Sequence, residues 1–206
     1  RNHNGTSLSQ SGYDKQKQSI FANVQLGWRG MVYLDVTARN DWSSTFAGSN
    51  YGSFFYPTVG LSGILTEIFP SLKGDFLNYW KIRASYSEVG NDPDLFLTIP
   101  TKPVVNGALN LRGRKDNRDL QPERTKSYEI GTNLYFFNNR LNLTFDWYQK
   151  NTKDWLVNAP VMGHFGTGAP YINGGDVRNS GVELALNWSD AINKDFSYSF
   201  GVNGSY

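Results

Sequence analysis

Apolar and polar side chains alternate through much of this chain, most strictly between Lys126 and Thr152. There Tyr128, Ile130, Thr132, Leu134 and Phe136 fall at every second position, with Glu129, Gly131, Asn133 and Tyr135 between them. Beyond Asn138-Asn139, Leu141, Leu143, Phe145 and Trp147 alternate with Asn142, Thr144, Asp146 and Tyr148. A two-residue period sends the two sets to opposite faces of a pleated strand. Asn-Asn tolerates the positive φ of a tight hairpin turn. The pattern therefore predicts two strands of about ten residues, the length a tilted strand needs to cross a bilayer. Aromatics close the apolar face, Tyr128 and Phe136 on one strand and Trp147 on the other, as in the girdles of an outer-membrane barrel. A hairpin of a soluble β-sandwich alternates in the same way, so this stretch alone leaves both folds open.

The rest of the chain repeats the pattern. Ile20, Ala22, Val24, Leu26 and Trp28 form one apolar face, and Arg29-Gly30 a short turn. Val32, Leu34, Val36 and Ala38 follow, with Tyr33, Asp35, Thr37 and Arg39 opposite. Further strands are predicted around Pro57–Leu61, Trp80–Tyr86, Val182–Trp188 and Phe196–Val202. Thr66-Glu67 reads as a helix start that Pro70 and Gly74 limit to a turn or two. That makes about eight strands whose connections alternate in length. Those at Arg29-Gly30, Thr66–Leu77, Asn138-Asn139 and Asp190–Asp195 are short or compact. Those at Asn40–Phe54, Gly90–Thr125 and Lys153–Asp176 are long. Short turns at one end and long loops at the other describe an up-and-down membrane barrel; a Greek-key sandwich gives no reason for such asymmetry.

Composition agrees with this picture. Only 39% of the residues are hydrophobic but 15% are aromatic, as expected where alternate positions meet a polar interior. A formal charge of +2 with no basic block gives nucleic acid no footprint. With no cysteine there is neither a disulfide scaffold nor a thiolate metal or redox site. No run of about eighteen apolar residues exists, so any membrane crossing rests on strands. The opening in polar loop sequence and the close on an unfinished strand suggest a piece of something longer.

Several segments resemble the C-terminal barrel half of the SusC/RagA family of TonB-dependent outer-membrane transporters of Bacteroidetes. The matching residues are Arg39-Asn40-Asp41 with Tyr56-Pro57-Thr58-Val59-Gly60, and Lys81-Ile82-Arg83-Ala84-Ser85-Tyr86 with Gly90-Asn91. They continue in Leu120 with Pro122-Glu123-Arg124-Thr125, Glu129-Ile130-Gly131, Asn139-Arg140-Leu141, Tyr148-Gln149-Lys150-Asn151-Thr152 and Gly175-Asp176-Val177-Arg178-Asn179-Ser180-Gly181-Val182-Glu183. Ser87 and Trp42 stand where the family commonly has glycine. The resemblance implies an all-β fold in which residues 1–206 form part of an antiparallel transmembrane barrel of roughly twenty-two strands. The family's plug and TonB-contacting segment would lie outside these residues. It also implies an outer-membrane location in a Gram-negative bacterium. The implied partners are a SusD-like surface lipoprotein, the TonB complex, membrane lipid and an oligosaccharide or peptide substrate; no cofactor is implied. Two readings from other classes are a soluble β-rich carbohydrate-binding module and a barrel-shaped outer-membrane enzyme.

Catalytic chemistry finds little support. His3 and His164, the two histidines, both fall in glycine-rich loops. Asn91-Asp92-Pro93-Asp94 lacks calcium-loop spacing and reads as a cap or turn. The candidate contact residues are the aromatics of the long segments, Trp42, Tyr51, Phe54, Trp155, Phe165 and Tyr171, because an exposed ring stacks on the apolar face of a sugar. Arg83, Lys81, Glu129, Asp146 and Glu183 are expected to line the lumen.

Overall fold

The structure, a computed structural model, describes residues 12–102, 104, 105, 107–109, 115–160, 162 and 168–206. Twelve strands are described: β1 (Lys17–Trp28), β2 (Val32–Ser43), β3 (Ser53–Ile64), β4 (Leu77–Asn91), β5 (Val104–Val105), β6 (Ala108–Leu109), β7 (Glu123–Phe136), β8 (Leu141–Lys153), β9 (Leu156–Asn158), β10 (Tyr171–Asn173), β11 (Val177–Ala191) and β12 (Ser197–Ser205). Eight of them make one antiparallel sheet in the order β1-β2-β3-β4-β7-β8-β11-β12. Each long strand therefore pairs with the next long strand along the chain, the meander predicted from the alternating connections. The pairs β5–β6 and β9–β10 are small hairpins inside the two longest connections.

Register shows how the period-2 pattern is used. One row runs Leu26, Leu34, Leu61, Ala84, Ile130, Trp147, Val182 across seven strands. The row one residue away runs Gln25, Asp35, Gly60, Ser85, Glu129, Tyr148, Gly181. Directly opposed residues share a face, so the sheet has one apolar face and one polar face along its width. No second layer covers the apolar face among the described residues, and Leu26, Leu61, Ile130, Phe145 and Leu184 on it are exposed. Thr132 is a polar exception on that face. Its hydroxyl is satisfied locally, accepting from Trp80 Nε1 (2.9 Å) and donating to the Lys81 carbonyl (3.1 Å), which removes the penalty for a polar atom in an apolar setting.

The short-turn end carries a ring of aromatics. Phe76 packs on Phe136 and Phe137, with centroids 5.2 Å apart in each pair, and Phe137 lies 6.3 Å from Trp188. The turn between β7 and β8 is wider than the two residues expected at Asn138-Asn139. It spans 137–140, and Phe137, Asn138 and Asn139 all have positive φ, between 56° and 65°. Phenylalanine disfavours that region, and the ring cluster together with the bond from Phe137 N–H to the Phe76 carbonyl (3.0 Å) holds it there. Asn78 Oδ1 accepts from Asn139 N–H (3.2 Å), latching the same turn to β4. Between β3 and β4, helix α1 (Leu65–Ile68) and a 3₁₀ turn at Pro70–Leu72 occupy the place where one or two helical turns were expected.

Strand limits differ from the sequence reading at the opposite end. β2 and β3 run further than the pattern indicated, so the first long connection shrinks to residues 44–52. Trp42 is consequently a strand residue, paired with Gln18 and Ser53, on the side of β2 that carries Leu34, Val36 and Ala38. Phe54 likewise belongs to β3 and is buried. Apolar periodicity fades here because the loops bury the polar-face side of the strand ends, Asp41, Ser43, Phe54 and Tyr56, while Trp42 and Phe55 on the other side stay exposed.

The chain has no cysteine, which makes the two faces directly testable. Single cysteines at Leu143 and Leu186, in the full-length protein reconstituted in vesicles and labelled with a fluorophore, should be quenched by a bilayer-confined probe and spared by an aqueous one. Cysteines at Thr144 and Ala185 should behave in the opposite way. The same quenching at all four would contradict a sheet with lipid on one side and water on the other.

Candidate functional site: the polar face and its loop cap

The three long connections emerge at one end of the sheet and bond to each other. Asn50 N–H donates to the Arg118 carbonyl (3.0 Å), and Asn50 Nδ2 to Asp119 Oδ1 (2.7 Å). Thr98 Oγ1 donates to the Thr45 carbonyl (3.3 Å). Gln121 and Asn173 exchange two bonds, Gln121 N–H to Asn173 Oδ1 (2.8 Å) and Asn173 Nδ2 to the Gln121 carbonyl (2.9 Å). Asn117 Nδ2 donates to the Tyr171 carbonyl (2.7 Å). The described residues of 44–52, 92–122 and 154–176 thus form one connected cap.

Among the described residues, the buried apolar side chains gather where this cap meets β3. Phe46 and Phe54 are each 3% exposed, Tyr56 9% and Leu120 not at all. The rings of Phe46 and Phe54 lie 4.6 Å apart, and Tyr51 packs against the group. Phe54 opposes Asp41 and Tyr56 opposes Arg39. Both rings therefore stand on the polar face, and the cap folds over that side of the sheet. Gly90 lets the Tyr56 side chain lie directly on β4, since a β-carbon there would come within 3.0 Å of two ring atoms and the hydroxyl oxygen.

Beside this core sits an ionic cluster. Lys17 Nζ contacts Asp92 (2.9 Å) and Asp41 (3.3 Å), Lys15 reaches Asp92 (3.2 Å), and Arg39 Nε donates to Asp41 (2.6 Å). Ser43 Oγ donates to Asp92 Oδ2 (2.9 Å). Burial works against the Asp92 charge, but the hydrogen bonds from Lys17, Ser43 and Lys15 outweigh it and hold the carboxyl at about 2, below its ordinary 3.8. The segment at 91–94 is thus a tie between β1, β2 and the second long connection, rather than the simple cap or turn expected. Among the described residues no group of three or more His, Cys, Asp or Glu is placed to hold a metal.

Further down the polar face, Arg83 forms two bonds to Asp146 (2.5 and 2.7 Å) and a third, very short one, to Asn133 Oδ1. Arg83 and Asp146 sit on β4 and β8, two strands apart, with Gly131 of β7 between them in the same row. Any β-carbon at Gly131 would come within 3.0 Å of both side chains, so glycine is what lets the bridge cross. Gln25 Nε2 to Asp35 (2.6 Å), Asn23 Nδ2 to Thr37 (2.8 Å) and Asn133 Nδ2 to Thr144 (3.1 Å) extend the polar lining. Lys81, Glu129 and Glu183 fall on the same face, as expected.

The candidate aromatics separate. Tyr51 is half-buried and its hydroxyl accepts from Gln121 Nε2 (2.7 Å), a packing position inside the cap. Trp42 faces the other side of the sheet. Trp155 is 46% exposed at the base of the β9–β10 hairpin, and Tyr171 opens β10 opposite Asn158. Phe165, His3 and His164 lie outside the described residues. Sequence reasoning missed the amides that join the cap, Asn50, Asn117, Gln121 and Asn173. Their only signal was a concentration of Asn and Gln in segments without periodicity.

This geometry, an eight-stranded meander with one apolar face and loops gathered over the polar one, has clear relatives. The family described as "TonB dependent receptor-like, beta-barrel" matches residues 2–206. The chain belongs to that family. It is 29% identical to TonB-dependent receptor P3 of Formosa agariphila, over 91% of this chain and 19% of the relative. It is 26% identical to TonB-dependent receptor SusC of Bacteroides thetaiotaomicron, over 90% of this chain and 20% of the relative. Among solved structures it resembles the RagAB peptide transporter, with a TM-score of 0.81 and 28% identity over 93% of this chain and 22% of that one. The siderophore receptor PirA of Pseudomonas aeruginosa shares the fold at 15% identity and a TM-score of 0.58. The chain spans about a fifth of the length of the curated relatives it matches. The resemblance to SusC and RagA proteins therefore holds across nearly all of these residues, and the family is one of receptors and transporters.

Two measurements test the cap. Gly90→Ala should push Tyr56 from its seat and destabilise the barrel by about 1–3 kcal/mol. Gly204→Ala, with nothing within 4 Å of the added carbon, should change stability by less than about 0.5 kcal/mol. Thermal unfolding of the full-length protein separates the two. The second concerns acid. The folded-state value for Asp92 is depressed, so its contribution is present above pH 3.8 and lost as pH falls towards about 2. The stability gap between the natural chain and Asp92→Asn should therefore be largest near neutrality and close between pH 4 and pH 2; a gap that widens on acidification would contradict the ionic cluster.

Proposed function

We propose that these residues are one arc of the wall of a larger outer-membrane barrel that imports a polar oligomer, an oligosaccharide or a peptide, using energy from the TonB complex. The observation that carries this reading is the pairing of a continuous polar face with a structured loop cap folded over one end of it. Such a face suits a water-filled passage, and its opposite suits lipid. The long connections belong on the cell exterior and the short turns in the periplasm. A SusD-like lipoprotein is the proposed partner at the exterior, supported by the similarity to SusC and to RagAB.

Within the cap, Trp155 and Tyr171 are the proposed contact residues for substrate or lipoprotein. Trp155 presents an exposed indole at the base of a short hairpin, where Ile172 and Val157 pack close over Gly174 and hold the hairpin in place. Tyr51 has its hydroxyl and ring already engaged inside the cap.

Epitope tags inserted at Gly107 and at Asn139 test the sidedness on intact cells. Labelling at Gly107 alone is expected; labelling at Asn139 alone, or equally at both, would reverse or refute the topology. Trp155→Ala with Tyr171→Ala should weaken binding by about 1–3 kcal/mol, roughly five- to a hundredfold, with little change in thermal midpoint. Tyr51→Ala should instead lower the midpoint. Lost stability with unchanged affinity in the Trp155/Tyr171 variant would assign those rings to packing.

A further inference from the structure

The outer side of the sheet is not apolar to its ends. Tyr86 and Tyr128 oppose each other with ring centroids 5.2 Å apart, and they close the apolar field towards the long-loop end. Paired tyrosines at such a boundary sit where lipid tails give way to headgroups. The next outward row holds Glu88, Lys126, Asn151 and Arg178, and the one beyond it Arg124 and Lys153. Four cations thus project from the outer side just past the tyrosines; at the opposite end the outward Asp190 of β11 is paired with Arg140 (3.2 Å).

Their pairing is incomplete. Glu88 contacts both Lys126 (3.3 Å) and Arg124 (3.5 Å), one carboxylate between two cations. Arg178 Nε donates to Asn151 Oδ1 (2.9 Å), which fixes the guanidinium in its row. Among the described residues neither Arg178 nor Lys153 has a carboxylate within 4.0 Å. A groove of about 550 Å³ runs between them, lined by Lys126, Tyr128, Lys153, Asp176 and Arg178. Counting Glu88 and Asp176 against the four cations leaves a surplus of positive charge.

We propose that this groove binds the phosphate groups of a phosphorylated lipid headgroup in the leaflet that meets the long-loop end of the barrel. The proposal rests on the outer-membrane reading above. The chemistry is a match of charge and position. Arg178 offers a planar fork for phosphate oxygens and Lys153 a compact point charge beside it. Tyr128 sits at the inner limit of the groove, where the headgroup joins the acyl chains. The acyl chains then continue down the exposed Ile130 and Leu184 surface. A cationic residue near an anionic leaflet strengthens association several-fold, with a dependence on ionic strength.

The test uses the full transporter in detergent and measures retained lipid by native mass spectrometry. The probes are a diphosphorylated glycolipid, the same lipid with its phosphates removed, and inorganic phosphate. The phosphorylated lipid should bind about tenfold tighter than its dephosphorylated form, and the preference should shrink with salt. Lys153→Gln with Arg178→Gln should abolish the preference, while Lys153→Arg with Arg178→Lys should keep it and report that the fold tolerates change there. Lys81→Gln, on the opposite face, should have no effect. Equal retention of the two lipids, a preference that survives the Gln variant, or competition by inorganic phosphate at equal affinity would each overturn the proposal. Substrate uptake by the Gln variant separates the two readings. Normal uptake without lipid selectivity removes the lipid site and leaves the transporter standing.

Discussion

Lipid offers no partner for a backbone amide or carbonyl, so a strand that faces hydrocarbon must find all its partners in its neighbours. That constraint accounts for the form of this sheet. Eight long strands pair in chain order with almost unbroken register, the single irregularity lying between Leu77 and Tyr79. Once the ladder is fixed, the two-residue period decides everything at right angles to it. Leu26, Leu34, Leu61, Ala84, Ile130, Trp147 and Val182 must share a side, because each opposes the next. A shift of one residue on any strand would place its charges among these side chains, so the pattern and the ladder enforce each other.

A single layer has no interior, and the burial that stabilises an ordinary domain is missing from most of this one. It is concentrated instead in the cap, around Phe46, Phe54, Tyr56 and Leu120. The cap is organised differently from the sheet, with side-chain amides and hydroxyls bonding to carbonyls many residues away. Its anchorage to the strands is ionic, through Asp41 and Asp92 and the cations of β1 and β2. A well-packed cap on a wall that gains its order from strand pairing lets the loops hold a defined surface without constraining the barrel below.

What the sequence revealed and what it hid follow from the same division. Strand order, the faces of Leu143 and Asp146, and the separation of short from long connections were legible, because period two is a local signal that the sheet obeys everywhere. The width of the turn at 137–140 was not, since three positive φ values including that of Phe137 depend on Phe76 and Trp188, far away in the chain. Trp42 looked like a loop residue because Asn40 and Asp41 interrupt the apolar rhythm. The structure makes Asp41 a buried partner of Lys17 and Arg39, which continues the strand. The cap was the least legible part. Asn117 and Asn173 reach distant backbone carbonyls, Asn50 the Asp119 carboxylate and Gln121 the Tyr51 hydroxyl, and no spacing in the sequence encodes which partner is near.

The polar face itself carries less free charge than its composition suggests. Arg83 is engaged by Asp146 and Asn133 across Gly131, and Gln25, Asn23 and Thr144 spend hydrogen-bonding capacity on neighbours along the same face. A carboxylate held by a guanidinium neither repels an anion strongly nor binds a cation tightly. What remains open is a set of weak, mixed donors and acceptors with a few free charges such as Lys81 and Glu183 between them. A wall of that kind offers many weak polar contacts and no single strong one. The strong, specific contacts of the molecule lie instead at the capped end, where ordered loops bond across three connections and the Trp155 indole is exposed.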